Sequence, residues 1–118
     1  MPLNNLNQQD SPSSRVLFKI HRKSKTEILA LCDESLIGEV LHNERARMRI
    51  SADFYDGREI SGMEALNLMK NYSNINAVGS VLELGIQKKL INEDAVIWFN
   101  TADGKKIPHL LIFSFPPI

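Results

Sequence analysis

Apolar and polar positions alternate in short blocks toward both ends of the chain and recur at helical spacing in its middle. Val16-Leu17-Phe18-Lys19-Ile20 is short, apolar and partly β-branched, which predicts a strand. A polar, basic turn over 21–25 follows, and Thr26 to Cys32 predicts a second strand. In that strand Ile28, Ala30 and Cys32 share one face and Leu29 and Leu31 the other. Two strands joined by a short polar segment make an antiparallel hairpin. Glu39 to Leu41 forms a further short strand. From Arg45 to Ile50 the alternation is strict: Arg45, Arg47 and Arg49 on one side, Ala46, Met48 and Ile50 on the other.

The period then lengthens. Ser61-Gly62-Met63-Glu64 has the residue types of a capping box, in which the Ser hydroxyl and the Glu carboxylate each take an otherwise unpaired N–H. Met63, Leu66, Met69 and Tyr72 recur behind it, which predicts a helix over 61–72. A second helix is expected over 76–90, with Val78, Leu82, Ile86 and Leu90 as its buried stripe. Gly79 and Gly85 would let a neighbouring element come close. Strands return at 95–99 and 107–115 around Asp103-Gly104, a pair suited to a hairpin bend. Trp98 is placed at the core or its rim, and Phe113, Phe115 and Ile118 are expected to pack inside, with an exposed apolar docking strip as the alternative. Strands, then two central helices, then strands favour an α+β fold with an antiparallel or mixed sheet.

Residues 1–14 are mostly Asn, Gln, Ser and Pro with one charge, Asp10. They hold too little apolar surface to offset the entropy of ordering a backbone, so a disordered tail is expected before one domain over 15–118. No apolar run approaches the ~18 residues a membrane-spanning helix requires. A single Cys excludes an internal disulfide and a multi-cysteine zinc site. A cytoplasmic protein without a membrane role is the expectation.

Fourteen Lys plus Arg balance fourteen Asp plus Glu, but unevenly. Residues 15–49 hold eight bases against five acids, whereas residues 50–118 hold six against eight. On a strand, Arg45, Arg47 and Arg49 would project to one face at ~6.5–7 Å steps. Forked guanidinium donors at that spacing could follow a nucleic-acid backbone. Arg22, Lys23 and Lys25 would extend the patch if the 21–25 turn lies beside it. No aromatic residues interleave with these bases, so backbone contact is expected rather than base stacking. A charged edge strand shielded from aggregation is the plainer alternative.

Three weaker candidates accompany this one. Cys32, Asp33 and His109 are the residue types of an activated thiol nucleophile. Cys32 nevertheless sits in an apolar strand, and Asp33 suits the cap of a short helical turn. Asn76 and Gly79 stand where a helix start would offer backbone N–H groups to an anion, but without the Gly-rich loop and Lys of a phosphate-binding loop. His21, His42 and His109 are too scattered for a metal motif. Neither a metal nor a cofactor is implied.

Several segments together resemble an archaeal family, domain of unknown function 424. These are Ala30-Leu31-Cys32-Asp33 with Leu36 and Gly38, Phe54-Tyr55 followed by Gly57, Asn76-Ala77-Val78-Gly79, and Ile107-Pro108-His109. The resemblance covers roughly Val16 to Phe113. Ser80 stands where that pattern leads one to expect an acid. The resemblance implies a small α+β protein associated with archaeal translation machinery. The expected function is therefore a non-enzymatic module binding RNA, ribosomal or translation factors through its basic strand. The alternatives are a protein–protein adaptor without nucleic acid and an enzyme centred on Cys32 and His109.

Overall fold

The computed structural model describes residues 15–114. The tail expected over 1–14 lies outside these residues, as do Phe115 and Ile118. Strands β1 (Val16–Lys23) and β2 (Thr26–Asp33) form the expected antiparallel hairpin, in register from Val16 opposite Asp33 to Lys23 opposite Thr26. The polar turn is shorter than expected. Only Ser24 and Lys25 connect the strands, with Ser24 at φ 56°, so His21, Arg22 and Lys23 stay in β1. A two-residue turn with left-handed φ matches the twist of paired strands and lets pairing run to its edge.

The chain continues through a 3₁₀ turn (Glu34–Leu36), β3 (Val40–His42), β4 (Arg47–Arg49), a short helix α1 (Ala52–Tyr55) and β5 (Arg58–Ile60). Next come α2 (Gly62–Met69), β6 (Ile75–Val78), α3 (Ser80–Gln87), a 3₁₀ turn (Glu93–Ala95), β7 (Ile97–Asn100) and β8 (Lys106–Ile112). All eight strands join one sheet in the order β4-β3-β7-β8-β6-β2-β1-β5. β2 and β6 pair in parallel and the remaining pairs are antiparallel. The fold is α+β, but the mixed sheet is larger than the sequence suggested and curls into a half-barrel.

The capping box opens α2 as expected. Glu64 N donates to Ser61 Oγ at 3.1 Å, and Ser61 N donates to Glu64 Oε1 at 2.9 Å. The helix expected over 76–90 is divided. Ile75–Val78 is strand β6, held between β2 and β8 with Ile75, Ala77 and Val78 buried. Ladder bonds on both sides outweigh the local helical spacing. The switch to α3 falls on Gly79, whose φ of 106° and ψ of −147° suit only a residue without a side chain. The helix also stops at Gln87. Leu90 N and Ile91 N both donate to Gly85 O, which turns Ile91 back against Gly85 and leaves Leu90 58% exposed rather than buried.

The strands bury both faces of the sheet. Leu29, Leu31, Ile75, Ala77 and Leu110 meet Ala65, Leu66, Val81 and Leu82 of α2 and α3 on one face. Ala30, Cys32, Leu41, Val78 and Phe99 point to the opposite face, where Tyr55 of α1 and Ile50 pack with them. The alternation in β2 thus divides Leu29 and Leu31 from Ala30 and Cys32 as expected. Trp98 is half-buried against the core under α2 and α3, and Phe113 is exposed instead of packed inside.

Candidate functional site

Among the described residues β4 lies at the sheet edge and pairs only with β3, Val40 opposite Arg49 and His42 opposite Arg47. The strand is shorter than expected, and Arg45 belongs to the turn before it. Asn43 builds that turn, its Oδ1 accepting from Arg45 N at 2.8 Å and Ala46 N at 2.9 Å. Arg45, Arg47 and Arg49 are exposed, whereas Ile50 is fully buried and anchors the strand's end. Among the described residues no carboxylate pairs with these three guanidinium groups. The ion pairs formed elsewhere are Arg15 with Glu34 and Glu59, and Arg22 with Glu27.

The basic hairpin does not adjoin this strand within the sheet. β3, β7, β8 and β6 stand between β4 and β2. Arg22 is also engaged, its Nε 2.5 Å from Glu27 Oε2, while Lys23 and Lys25 remain exposed. The link between the two basic regions is α1, which follows β4 directly and docks on β1. Lys19 Nζ donates to Asp53 O at 2.8 Å, and His21 Nε2 lies 2.8 Å from Phe54 O. A carbonyl can only accept, so Nε2 carries the His21 proton. The His21 ring stacks on Phe54 with centroids 4.4 Å apart and planes 12° from parallel. The stacked pair therefore borders the basic hairpin. A separation of 33 residues hid it from the sequence pattern.

Cys32 and His109 share one face of the sheet but do not meet. Val78 pairs with Cys32 on one side and His109 on the other, so two strand spacings, roughly 9.5 Å, separate them. Cys32 is fully buried and its thiol is pushed up to about 12, first by burial and then by the charges of Asp33 and Asp56. Such a thiol supplies almost no thiolate at neutral pH. The expected thiol–imidazole pair is not assembled.

Asp33 stands at the start of the 3₁₀ turn but makes no side-chain cap there. Its carboxylate crosses to α3, accepting from Ser80 N at 2.9 Å and from Ser80 Oγ. Burial raises its pKa, and the two Ser80 bonds pull against that rise. Gly79 makes room for the carboxylate, since a Cβ there would sit 2.5 Å from Asp33 Oδ2.

Asn76 lies within β6 rather than at a helix start. Its Oδ1 accepts from Tyr55 Oη at 2.8 Å and from His109 Nε2 at 2.9 Å. Tyr55, which enters the sequence reading only through the family resemblance, is the residue of this cluster to which that reading assigns no role. Burial lowers the His109 pKa, favouring the neutral ring, and Phe99 meets it edge-on at 6.0 Å. Among the described residues no three His, Cys, Asp or Glu side chains gather as metal ligands, and no helix is long and apolar enough to cross a membrane.

Among the described residues, a curled sheet of eight strands with an arginine edge strand and a His–Asn–Tyr cluster on the face opposite α2 and α3 defines a small α+β protein. The chain belongs to the family described as protein of unknown function (DUF424), whose model matches residues 21–110. It is similar to an uncharacterized conserved protein from Methanopyrus kandleri, known from a crystal structure. The two share 29% identity at a TM-score of 0.60, over 88% of this chain and 96% of that one. None of the curated proteins matches.

Proposed function

We propose that this protein is a non-enzymatic module that holds the phosphate backbone of RNA, free or within a ribonucleoprotein such as a translation complex, through Arg45, Arg47 and Arg49. The observation that carries the reading is their shared state: all three are exposed, Arg47 and Arg49 on the edge strand and Arg45 in the turn before it, with no carboxylate partner among the described residues. Unpaired guanidinium groups keep their forked donors for phosphate. Lys23 and Lys25 add charge from the hairpin, while Arg22 contributes less because Glu27 already holds it.

The test is RNA binding by the full chain at several salt concentrations. Affinity should fall steeply with salt, because phosphate contacts release counterions. Replacing Arg45, Arg47 and Arg49 by Ala should weaken binding at least about tenfold and flatten the salt slope by roughly two to three units. Equal binding by that variant would sink the reading.

An adaptor without nucleic acid is the second reading. It rests on an apolar groove of about 350 Å³ on the helix side, lined by Leu66, Met69, Ile75, Leu90, Leu110 and Ile112. Salt-insensitive capture of a protein partner, undisturbed by the arginine substitutions, would favour it. The enzyme reading has less support, because Cys32 is buried and lacks a histidine partner.

A further inference from the structure

We infer that the phosphate-binding site runs across the sheet rather than along β4 alone, and that His42, Asn100 and Lys106 extend it from Arg47. The inference rests on the backbone reading above and deepens it.

Pairing register places these four side chains. His42 lies opposite Arg47 on one side and opposite Asn100 on the other, and Asn100 lies opposite Lys106. Residues directly opposite in antiparallel strands share a face, so β4, β3, β7 and β8 give one residue each to a single row. Trp98 and Leu110, an even number of residues along β7 and β8 from Asn100 and Lys106, pack into the core under α2 and α3. The row therefore lies on that face. At one strand spacing per step it is roughly 14 Å long. Arg47, His42 and Lys106 are exposed and Asn100 is half-buried, so neither helix covers it.

The opposite face holds the row in place. Leu41, Met48, Phe99 and Ile107, the sequence neighbours of the four, pack into the core that contains Ile50 and Tyr55. A slip of one residue would turn these apolar groups to solvent. Asn100 Nδ2 also donates to His42 O at 3.4 Å, tying β7 to β3 where the row crosses.

The chemistry of the row selects an anion. β3, β4, β7 and β8 contain no carboxylate. The acids nearby stand outside the strands: Glu39 and Glu44 flank β3, Asp103 accepts from Thr101 Oγ1 in the β7–β8 turn, and Glu83 is on α3. With the turns included, residues 39–49 and 97–106 hold five bases against three acids. Among the described residues neither Arg47 nor Lys106 pairs with an acid. Arg47 offers a fork of donors, Lys106 a point charge, and His42 and Asn100 N–H groups, all suited to phosphate oxygens that only accept. Arg49 stands two residues along β4 and widens the row at its edge. Lys23 pairs with Thr26 and takes the face of Cys32, away from the row.

The experiment measures a labelled RNA oligonucleotide on the full chain by fluorescence anisotropy at several salt concentrations. Lys106→Ala should weaken binding roughly threefold or more and flatten the salt slope by about one unit. Lys23→Ala, the same charge change on the other face, should stay within about twofold of the parent. On the unaltered protein, added RNA should shift the amide NMR signals of His42, Arg47, Asn100 and Lys106. A silent Lys106→Ala beside an inactive triple arginine variant would confine contact to the β4 end, overturning this inference and sparing the backbone reading. Equal losses from Lys23→Ala and Lys106→Ala would mean diffuse attraction and overturn it too. No RNA binding by the parent would remove both. Binding of polyglutamate as tight as that of RNA would assign the row to an acidic protein and overturn the inference as well.

Discussion

Ser80 gives both its backbone N–H and its hydroxyl to the carboxylate of Asp33, a residue 47 positions earlier in the chain. α3 thus begins with a cap supplied by the end of β2 rather than by its own N-cap, Gly79. The bond ties the parallel β2–β6 pair to the helix that follows it.

Loss of that carboxylate should therefore act beyond its own turn. Asp33→Ala is expected to cost about 1–3 kcal/mol, because two donors lose a buried acceptor. Urea unfolding measures it, and a cost within error of zero would show that the cap adds nothing.

Asp33 should also leave a signature in the pH dependence. Its folded pKa is raised by burial, so between the unfolded and folded values the native state binds more protons. Its contribution is then fully present below the unfolded pKa and is lost as pH rises through the folded one. Asp33→Asn keeps an acceptor for Ser80 and removes the titration. The stability of the parent relative to Asp33→Asn should fall as pH rises above the ordinary carboxylate range and through the raised folded pKa; a flat difference would contradict this.

His109 should behave with the opposite sign. Its pKa is lowered by burial, so its contribution is present above the unfolded value and is lost as pH falls through the folded one. An NMR titration of the ring nitrogens should give a midpoint below that of a free imidazole. Tyr55→Phe removes one bond to Asn76 and should cost about 0.5–1.5 kcal/mol. A raised His109 midpoint would mean that a carboxylate faces the ring in solution.

Gly79→Ala places a Cβ 2.5 Å from Asp33 Oδ2 on a backbone at φ 106°. The strain and the displaced carboxylate together should cost on the order of 2–4 kcal/mol. A thermal midpoint equal to that of the parent would show that the strand-to-helix turn can take another course.

Cys32 should resist thiol reagents in the native state at neutral pH. The buried thiol stays protonated up to about pH 12, so labelling must wait for an opening of the fold. Rapid modification without denaturant would reopen the nucleophile reading.

Much of this architecture is written locally. The β1–β2 hairpin follows from two apolar blocks around a polar segment, and the start of α2 from Ser61 and Glu64. The exposure of Arg47 and Arg49 follows from a two-residue period with Met48 and Ile50 turned inward. Each of these needs only neighbours a few residues away, which is the range over which backbone geometry and burial leave a repeating pattern.

Tertiary structure decided the rest. Four residues, Ile75 to Val78, satisfy a strand or a helix equally well until β2 and β8 bond them from both sides. Asp33 suits any nearby N–H, and only the parallel β2–β6 pairing delivers Ser80 to it. His21 and Phe54 stack because α1 folds across β1, and the arginine strand is parted from the basic hairpin because the sheet inserts four strands between β4 and β2. These outcomes depend on which distant backbones exchange hydrogen bonds and on which face each strand then buries, and a one-dimensional pattern of residue types does not encode partner or register.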